Sequence, residues 1–351
     1  MSSTEIRVAL IGFGLGGAFF HAPLIAATGG MRLAAVVTGN AERRAQALRD
    51  YPGVRVLAGP DALWHEAGDY DLAVISTPNR SHVPLALAAL DAGLPVVIDK
   101  PFATSAAEAR RVILAAREKS LALSAYHIRR WDSECLTLRG LMAQGRLGRV
   151  LRFESRMERW RPQPKGGWKE RDITEEGGGL LYDIGSHLID QALYLFGPVR
   201  EVYAELDIRR AGVESDDDVF LALSHQSGVR SHLWASVMAA EPGARMRVMG
   251  TDGAYVKRQG DVQEAALRAG ARPGAPGWGD DPPENWGVFS DGAKTRCVES
   301  AKGAYQDFYA GMAAALHDGA AVPVDPEDAV AGLEIIEAAR RSAAEHVVVK
   351  L

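Results

Sequence analysis

A chain of 351 residues is longer than one ordinary core, which closes at roughly 100 to 200 residues, so two domains are expected. Hydrophobic residues at 47% and charged residues at 24% match the averages of globular proteins and speak against a disordered, fibrous or membrane class. A formal net charge of −5, with no stretch dense in Lys and Arg, removes the electrostatic support for a nucleic-acid partner.

No run reaches the roughly 18 apolar residues of a membrane helix, so no membrane partner is expected. Met1 to Arg7 leads directly into an apolar strand without a basic region or a small-residue cleavage site, so no export signal is read. Cys135 and Cys297 are far apart and lack neighbours at metal-ligand spacing, which suits packing roles in a reducing compartment. The expected location is cytoplasmic.

From Arg7 to about Ala125, short apolar runs alternate with helical stretches. The strands are Val8–Ile11, Leu33–Val37, Leu72–Ser76, Val96–Ile98 and Leu121–Ser124, and the helices are Ala41–Asp50, Val83–Ala92 and Ser105–Lys119. Such alternation means a parallel sheet with helices on both faces, so residues 1–125 read as a doubly wound Rossmann domain within an α/β fold.

After Tyr126 a helix over Asp132–Gln144 leads through a turn at Gly145–Gly148 to strands of alternating polarity: Val150–Arg156, Val199–Arg209, Val219–His225, Val229–Met238 and Met246–Met249. Residues 126–351 are therefore expected to form an α+β substrate and oligomerisation domain around a large, open, mixed or antiparallel sheet. Gly260 to Asn285, crowded with Gly, Pro and charge, reads as an irregular excursion from that sheet. Asp325-Pro326-Glu327-Asp328 opens a helix that runs to Glu345 and is expected to pack back toward the first domain, and a short strand, Val347–Val349, follows.

The chemistry begins directly after the first strand, at Gly12-Phe13-Gly14-Leu15-Gly16-Gly17. Gly12 permits the tight turn, Gly14 clears the approach of a pyrophosphate, and Gly17 lets the next helix pack on the strand, whose N-terminus favours the anion. A dinucleotide therefore belongs here. NAD-specific sites usually carry Asp or Glu at the end of the second strand, whereas this chain reads Thr38-Gly39-Asn40-Ala41-Glu42-Arg43-Arg44. Small polar groups followed by guanidiniums suit the 2′-phosphate of NADP, so NADP is favoured over NAD. The competing reading makes Arg43 and Arg44 a solvated helix face. Thr77, Pro78, Asn79 and His82 follow the Leu72–Ser76 strand at the ligand end of the sheet; turn and capping roles for Thr77 and Asn79, and a surface role for His82, stand beside cofactor contact.

Two further motifs complete the set: Asp99-Lys100-Pro101, and Gly177-Gly178-Gly179-Leu180-Leu181-Tyr182-Asp183-Ile184-Gly185-Ser186-His187. Together with the glycine loop they resemble the Gfo/Idh/MocA oxidoreductases, which include glucose-fructose oxidoreductase and inositol dehydrogenase, over nearly the whole chain. Tyr126-His127-Ile128-Arg129-Arg130-Trp131-Asp132 and Gly167-Trp168-Lys169-Glu170 look like the branch of NADP-dependent scyllo-inositol dehydrogenases. The resemblance implies that Lys100, Asp183 and His187 form the catalytic group, with Lys100 also touching the cofactor and with no metal used. It further implies hydride transfer involving a cyclic polyol or a sugar.

The residue types suit that chemistry. A secondary alcohol loses a proton as well as a hydride, and His titrates near neutrality, so His187 is the candidate base. Asp183 lies one helical turn before it and can orient the ring or the hydroxyl. Lys100 can donate to the oxygen as charge develops. The family more often carries Glu where this chain has Asp99, so the Lys100–Pro101 turn hangs from a shorter side chain, and Pro101 makes a cis peptide possible. Arg129, Trp131, Trp168 and Lys169 are candidate substrate contacts, each Trp also being a candidate core residue, and Tyr182 is read as packing. The same chemistry on an aldose, or a nucleotide-sensing regulator without catalysis, remain the alternatives. An open sheet calls for a second copy, hence a homodimer or homotetramer.

Overall fold

The structure is a computed structural model that describes residues 5–164, 166, 170 and 177–351. The chain divides into two compact units, one of Met1–Ile128, Gln263–Trp278 and Tyr305–Ala329, the other of Arg129–Val262, Gly279–Ala304 and Val330–Leu351.

The first unit holds β1 (Ile6–Ile11), β2 (Met31–Val37), β3 (Arg55–Leu57), β4 (Leu72–Ile75), β5 (Val96–Asp99) and β6 (Leu123–Tyr126) in one parallel sheet ordered β3-β2-β1-β4-β5-β6. The strands are runs of Val, Ile, Leu and Ala, and all of β4 is fully buried, as a strand covered on both faces must be. The strand order reverses between β1 and β4, and the crevice for a ligand in such a sheet opens at the carboxyl ends of these strands. Asn40 caps the helix Ala41–Asp50, its Oδ1 accepting from Arg43 N at 2.9 Å, and Ser105 caps Ala106–Glu118 through Glu108 N at 3.2 Å.

A single cut near residue 125 does not describe these units. Ser124, a polar residue in an apolar strand, donates to Val324 O at 2.8 Å and accepts from Val324 N at 3.3 Å, while Tyr126 meets Phe308 edge to face at 4.8 Å. These contacts bind the distant segment Tyr305–Ala329, with its helix Gln306–Asp318, onto β6. No periodicity inside that segment announces which sheet it will cover.

The second unit contains β7 (Val150–Glu158), β8 (Val199–Asp207), β9 (Asp218–His225), β10 (Arg230–Ser236), β11 (Met246–Gly250), β12 (Ala254–Lys257), β13 (Gly287–Ser290), β14 (Thr295–Val298) and β15 (Val349–Lys350). They form one mixed sheet ordered β14-β13-β12-β11-β7-β10-β9-β8-β15, in which β7 and β10 are the parallel pair. One face packs on the helix Ser186–Phe196, where Phe196 meets Phe153 at 5.0 Å. The other face carries Phe220 and Trp234 in register, 5.2 Å apart, with the Arg156 guanidinium 3.7 Å from the Trp234 ring centre.

The helix Pro326–Glu345 has its expected bounds, and within the second unit its Ser342 Oγ accepts from Ala204 N on β8. Gly260 to Asn285 is less irregular than its composition suggests, because Gln263–Arg268 is helical and Pro283–Asn285 forms a 3-10 turn. Cys135 is buried as expected, but Cys297 is exposed on the outer strand β14, so it does not pack. Among the described residues no helix is long and apolar enough to cross a membrane.

Candidate active site

In the first unit the glycine loop is set by close approaches that no other residue permits. Gly12 has φ +97°, and a Cβ there would lie 2.1 Å from Ser76 O; a Cβ on Gly17 would lie 2.1 Å from Gly12 O. Gly12 N donates to Val37 O, Ala18 N donates to Gly14 O, and a π-helical turn, Gly16–His21, runs into the helix Ala22–Ala27. The nearest atoms to a Cβ on Gly14 belong to the Arg43 guanidinium, 3.8 Å away, so the backbone there stays open beside a cation. A loop with a bare backbone, a helix start behind it and a cation beside it fits a dinucleotide phosphate.

The other residues expected at the cofactor fall into two groups. Thr38 and the exposed Asn40 and Arg43 line the end of β2, where Thr38 Oγ1 accepts from Asn40 N, and Leu15 is exposed on the loop. Phe13 instead turns inward against Tyr51 at 6.4 Å, leaving only its backbone to the loop surface. After β4, Thr77 Oγ1 accepts from Ser81 Oγ, Pro78 is exposed and Asn79 is buried. His82 is neither a surface residue nor open to a ligand: it is 1% exposed, with Nδ1 2.8 Å from Pro101 O and Nε2 2.9 Å from Thr77 O. It ties the turn after β4 to the turn after β5.

At the end of β5 the Lys100–Pro101 bond is cis. Asp99 Oδ1 accepts from Lys100 N at 2.8 Å, and Asp99 Oδ2 accepts from Ser76 Oγ at 2.9 Å and faces His21 Nε2 at 3.4 Å. Burial alone would raise this carboxyl, yet the adjacent His21 ring and the Lys100 ammonium hold it well below the usual range. A Cβ on Gly16 would lie 2.4 Å from Ser76 Oγ and 2.8 Å from Asp99 Oδ2, so the glycine loop rests directly on this pair.

In the second unit Asp183 lies on a π-helical turn, Leu181–Gly185, that passes straight into the helix Ser186–Phe196, and the buried His187 occupies the first turn of that helix. The start of this continuous segment is held by Asp216, whose Oδ2 accepts from Leu181 N at 2.6 Å and whose carbonyl accepts from Leu180 N at 2.8 Å. Gly179, at φ +91°, leaves room for it, since a Cβ would lie 2.3 Å from Asp216 Oδ1. Burial pushes the Asp216 carboxyl up to about 6 against the pull of its backbone donors. Sequence reasoning passed over Asp216; the only signal was the run Asp216-Asp217-Asp218, too acidic to be an ordinary strand start. Tyr182 is 1% exposed and packs, as expected.

Arg129 is half-buried, its Nη1 3.6 Å from the buried Asp132. Asp132 is pushed well above the carboxylate range by burial and by Glu134, and Arg245 reaches Glu134 at 3.0 Å, Ser155 Oγ at 2.6 Å and Gln191 Oε1 at 3.1 Å. Beside them Arg130 and Asp190 form a buried ion pair at 2.6 Å that fixes this segment to the helix bearing His187. Trp131 is half-buried, its carbonyl accepting from Ala304 N. Trp168 and Lys169 lie outside the described residues. Among the described residues no three His, Cys, Asp or Glu side chains gather as a metal site would require.

Residues 6–127 match the family described as "Oxidoreductase family, NAD-binding Rossmann fold", and residues 139–351 match "Oxidoreductase family, C-terminal alpha/beta domain". The chain is 40% identical to the oxidoreductase YdgJ of Escherichia coli, over 97% of each chain. It is 33% identical to the scyllo-inositol 2-dehydrogenase (NADP(+)) IolW of Bacillus subtilis, over 97% of this chain and 94% of that one. Among solved structures, a protein of Bacillus subtilis described as the oxidoreductase yvaA superposes with a TM-score of 0.93 at 32% identity, covering 100% of this chain and 99% of that one. One of Yersinia pestis, also described as an oxidoreductase, superposes with a TM-score of 0.91 at 38% identity, covering 99% and 97%.

Proposed function

Because this chain belongs to the Gfo/Idh/MocA oxidoreductase family and has an NAD-binding Rossmann domain, we propose that it moves a hydride between NADP and a secondary alcohol of a cyclic polyol or sugar, of the scyllo-inositol type. The observation that carries this reading is the joint presence of Lys100, Asp183 and His187 on that scaffold, each held by a carboxylate: Lys100 through Asp99, and the segment of Asp183 and His187 through Asp216.

When bound, NADP supplies the acceptor for the hydride leaving the carbinol carbon. Gly12, Gly14 and Gly17 would hold its pyrophosphate, and Thr38, Asn40 and Arg43 its adenosine ribose and 2′-phosphate. The Arg43 guanidinium beside Gly14 supports NADP over NAD. His187 takes the hydroxyl proton, Asp183 orients the ring or the hydroxyl, and Lys100 donates a hydrogen bond to the oxygen as negative charge develops on it. Arg129 and Trp131 contribute to holding the hydroxyl-rich ring, together with Trp168 and Lys169. The same residues would serve an aldose.

The aromatic outer face of the large sheet supports a homodimer or homotetramer built across it, measurable by light scattering on a sizing column. Free Cys135 and Cys297 suit a reducing cytoplasm. K100M and H187N are expected to abolish polyol-dependent reduction of NADP while NADPH still binds. Wild-type turnover in both variants would remove the catalytic assignment.

A further inference from the structure

The Asp99 carboxylate that receives the Lys100 amide is itself fed from the interior. His21 is fully buried, its ring lying on Tyr126 at 4.0 Å, with Nδ1 2.7 Å from Tyr309 Oη and Nε2 facing Asp99. Burial, with Asp99 adding to it, drives the Tyr309 phenol well above its ordinary range, so Tyr309 keeps its proton within its hydrogen bond with Nδ1. Nε2, which has no hydrogen-bond partner among the described residues, is the nitrogen turned to Asp99 Oδ2.

We propose that Tyr309 and His21 are positioning residues for the reaction: a buried relay in which Tyr309 holds the His21 ring and the ring, set against Asp99, holds the carboxylate that fixes the Lys100 backbone. Two donors meet on this carboxylate, Ser76 O–H on Oδ2 and Lys100 N–H on Oδ1, and His21 Nε2 lies 3.4 Å from Oδ2. A carboxylate so supplied holds its charge where burial would otherwise neutralise it. The relay also explains two local sequence choices. Asp99 meets the Lys100 amide and Ser76 with its two oxygens, and a Cβ on Gly16 would strike both Ser76 and Asp99. Tyr309 arrives from the segment Tyr305–Ala329, which gives that distant stretch a reason to complete the first unit.

The inference rests on the proposed role of Lys100, so one readout is taken on the free protein without substrate: amide-resolved hydrogen exchange at Lys100. H21L removes the polar ring edge beside Asp99, H21Q returns a polar amide near the Nε2 position, and Y309F removes only the hydroxyl. With the polar neighbour of Asp99 lost, H21L is expected to speed Lys100 amide exchange about tenfold, and Y309F by a few-fold, with β4 amides unchanged. In the same variants kcat should fall by about tenfold and a few-fold, with KM and NADPH affinity within about twofold, and H21Q should recover most of the loss. Wild-type exchange at Lys100 in folded H21L and Y309F overturns the relay, as do equal losses in H21Q and H21L or faster exchange without loss of kcat. If wild-type protein turns over no polyol, the reading of the substrate fails, while the exchange rates still decide the relay.

Discussion

Replacing Asp216 by Asn should make the protein's stability less sensitive to pH, and the size of the change can be worked out. The carboxyl stands at about 6 in the folded chain against 3.8 for an ordinary Asp, chiefly because it is buried. Between those values the folded state binds a proton that the unfolded state has released, so stability falls as pH rises through the window and levels off above about 6. At about 1.36 kcal/mol per unit, the 2.2-unit difference is about 3 kcal/mol across the whole window, of which about 1.3 kcal/mol is lost between pH 5 and 7. Asn keeps an acceptor for Leu181 N–H and carries no charge. Thermal and denaturant unfolding of D216N and wild type at pH 5 and pH 7 should therefore show the difference between them moving by about 1.3 kcal/mol in favour of D216N. D216A, which has no acceptor, should also lose activity, because the start of the segment carrying Asp183 and His187 is released. A difference between D216N and wild type that is independent of pH would refute the reasoning.

Three other outcomes follow from the geometry. G12A places a Cβ 2.1 Å from Ser76 O at a φ of +97°, so NADPH binding, read by its fluorescence, should be lost in a variant whose circular dichroism still shows a folded chain. R43A should weaken NADP binding by roughly 10- to 100-fold and leave NAD binding unchanged, and equal losses for both cofactors would remove Arg43 from the 2′-phosphate. R130M strands the buried Asp190 carboxylate and should destabilise the protein by about 3 to 5 kcal/mol, visible as a large drop in melting temperature.

Strands buried on both faces announce themselves as unbroken Val, Ile and Leu, so β1, β2, β4 and β5 are legible in the sequence to within two residues at either end. β3 is not: Arg55–Leu57 is three residues long, below any period. β12, β13 and β14 escape for the same reason, being four residues each among glycines and charges. The glycine loop and the Asp99-Lys100-Pro101 turn can be read because their chemistry is local. The inward turn of His82 cannot, since only the fold shows that Thr77 O and Pro101 O converge on its ring. Asp216 and His21 share that difficulty, for each acts on a residue far away in the chain, Leu181 in one case and Asp99 in the other.

The most direct test is the growth of reduced-nicotinamide absorbance when purified protein is mixed with NADP and scyllo-inositol, with myo-inositol, glucose, xylose and NAD as parallel arms. The account predicts reduction of NADP with an inositol, faster than with NAD, and its loss in K100M and H187N. Absence of turnover with every polyol and sugar, in protein shown separately to bind NADPH, would contradict it.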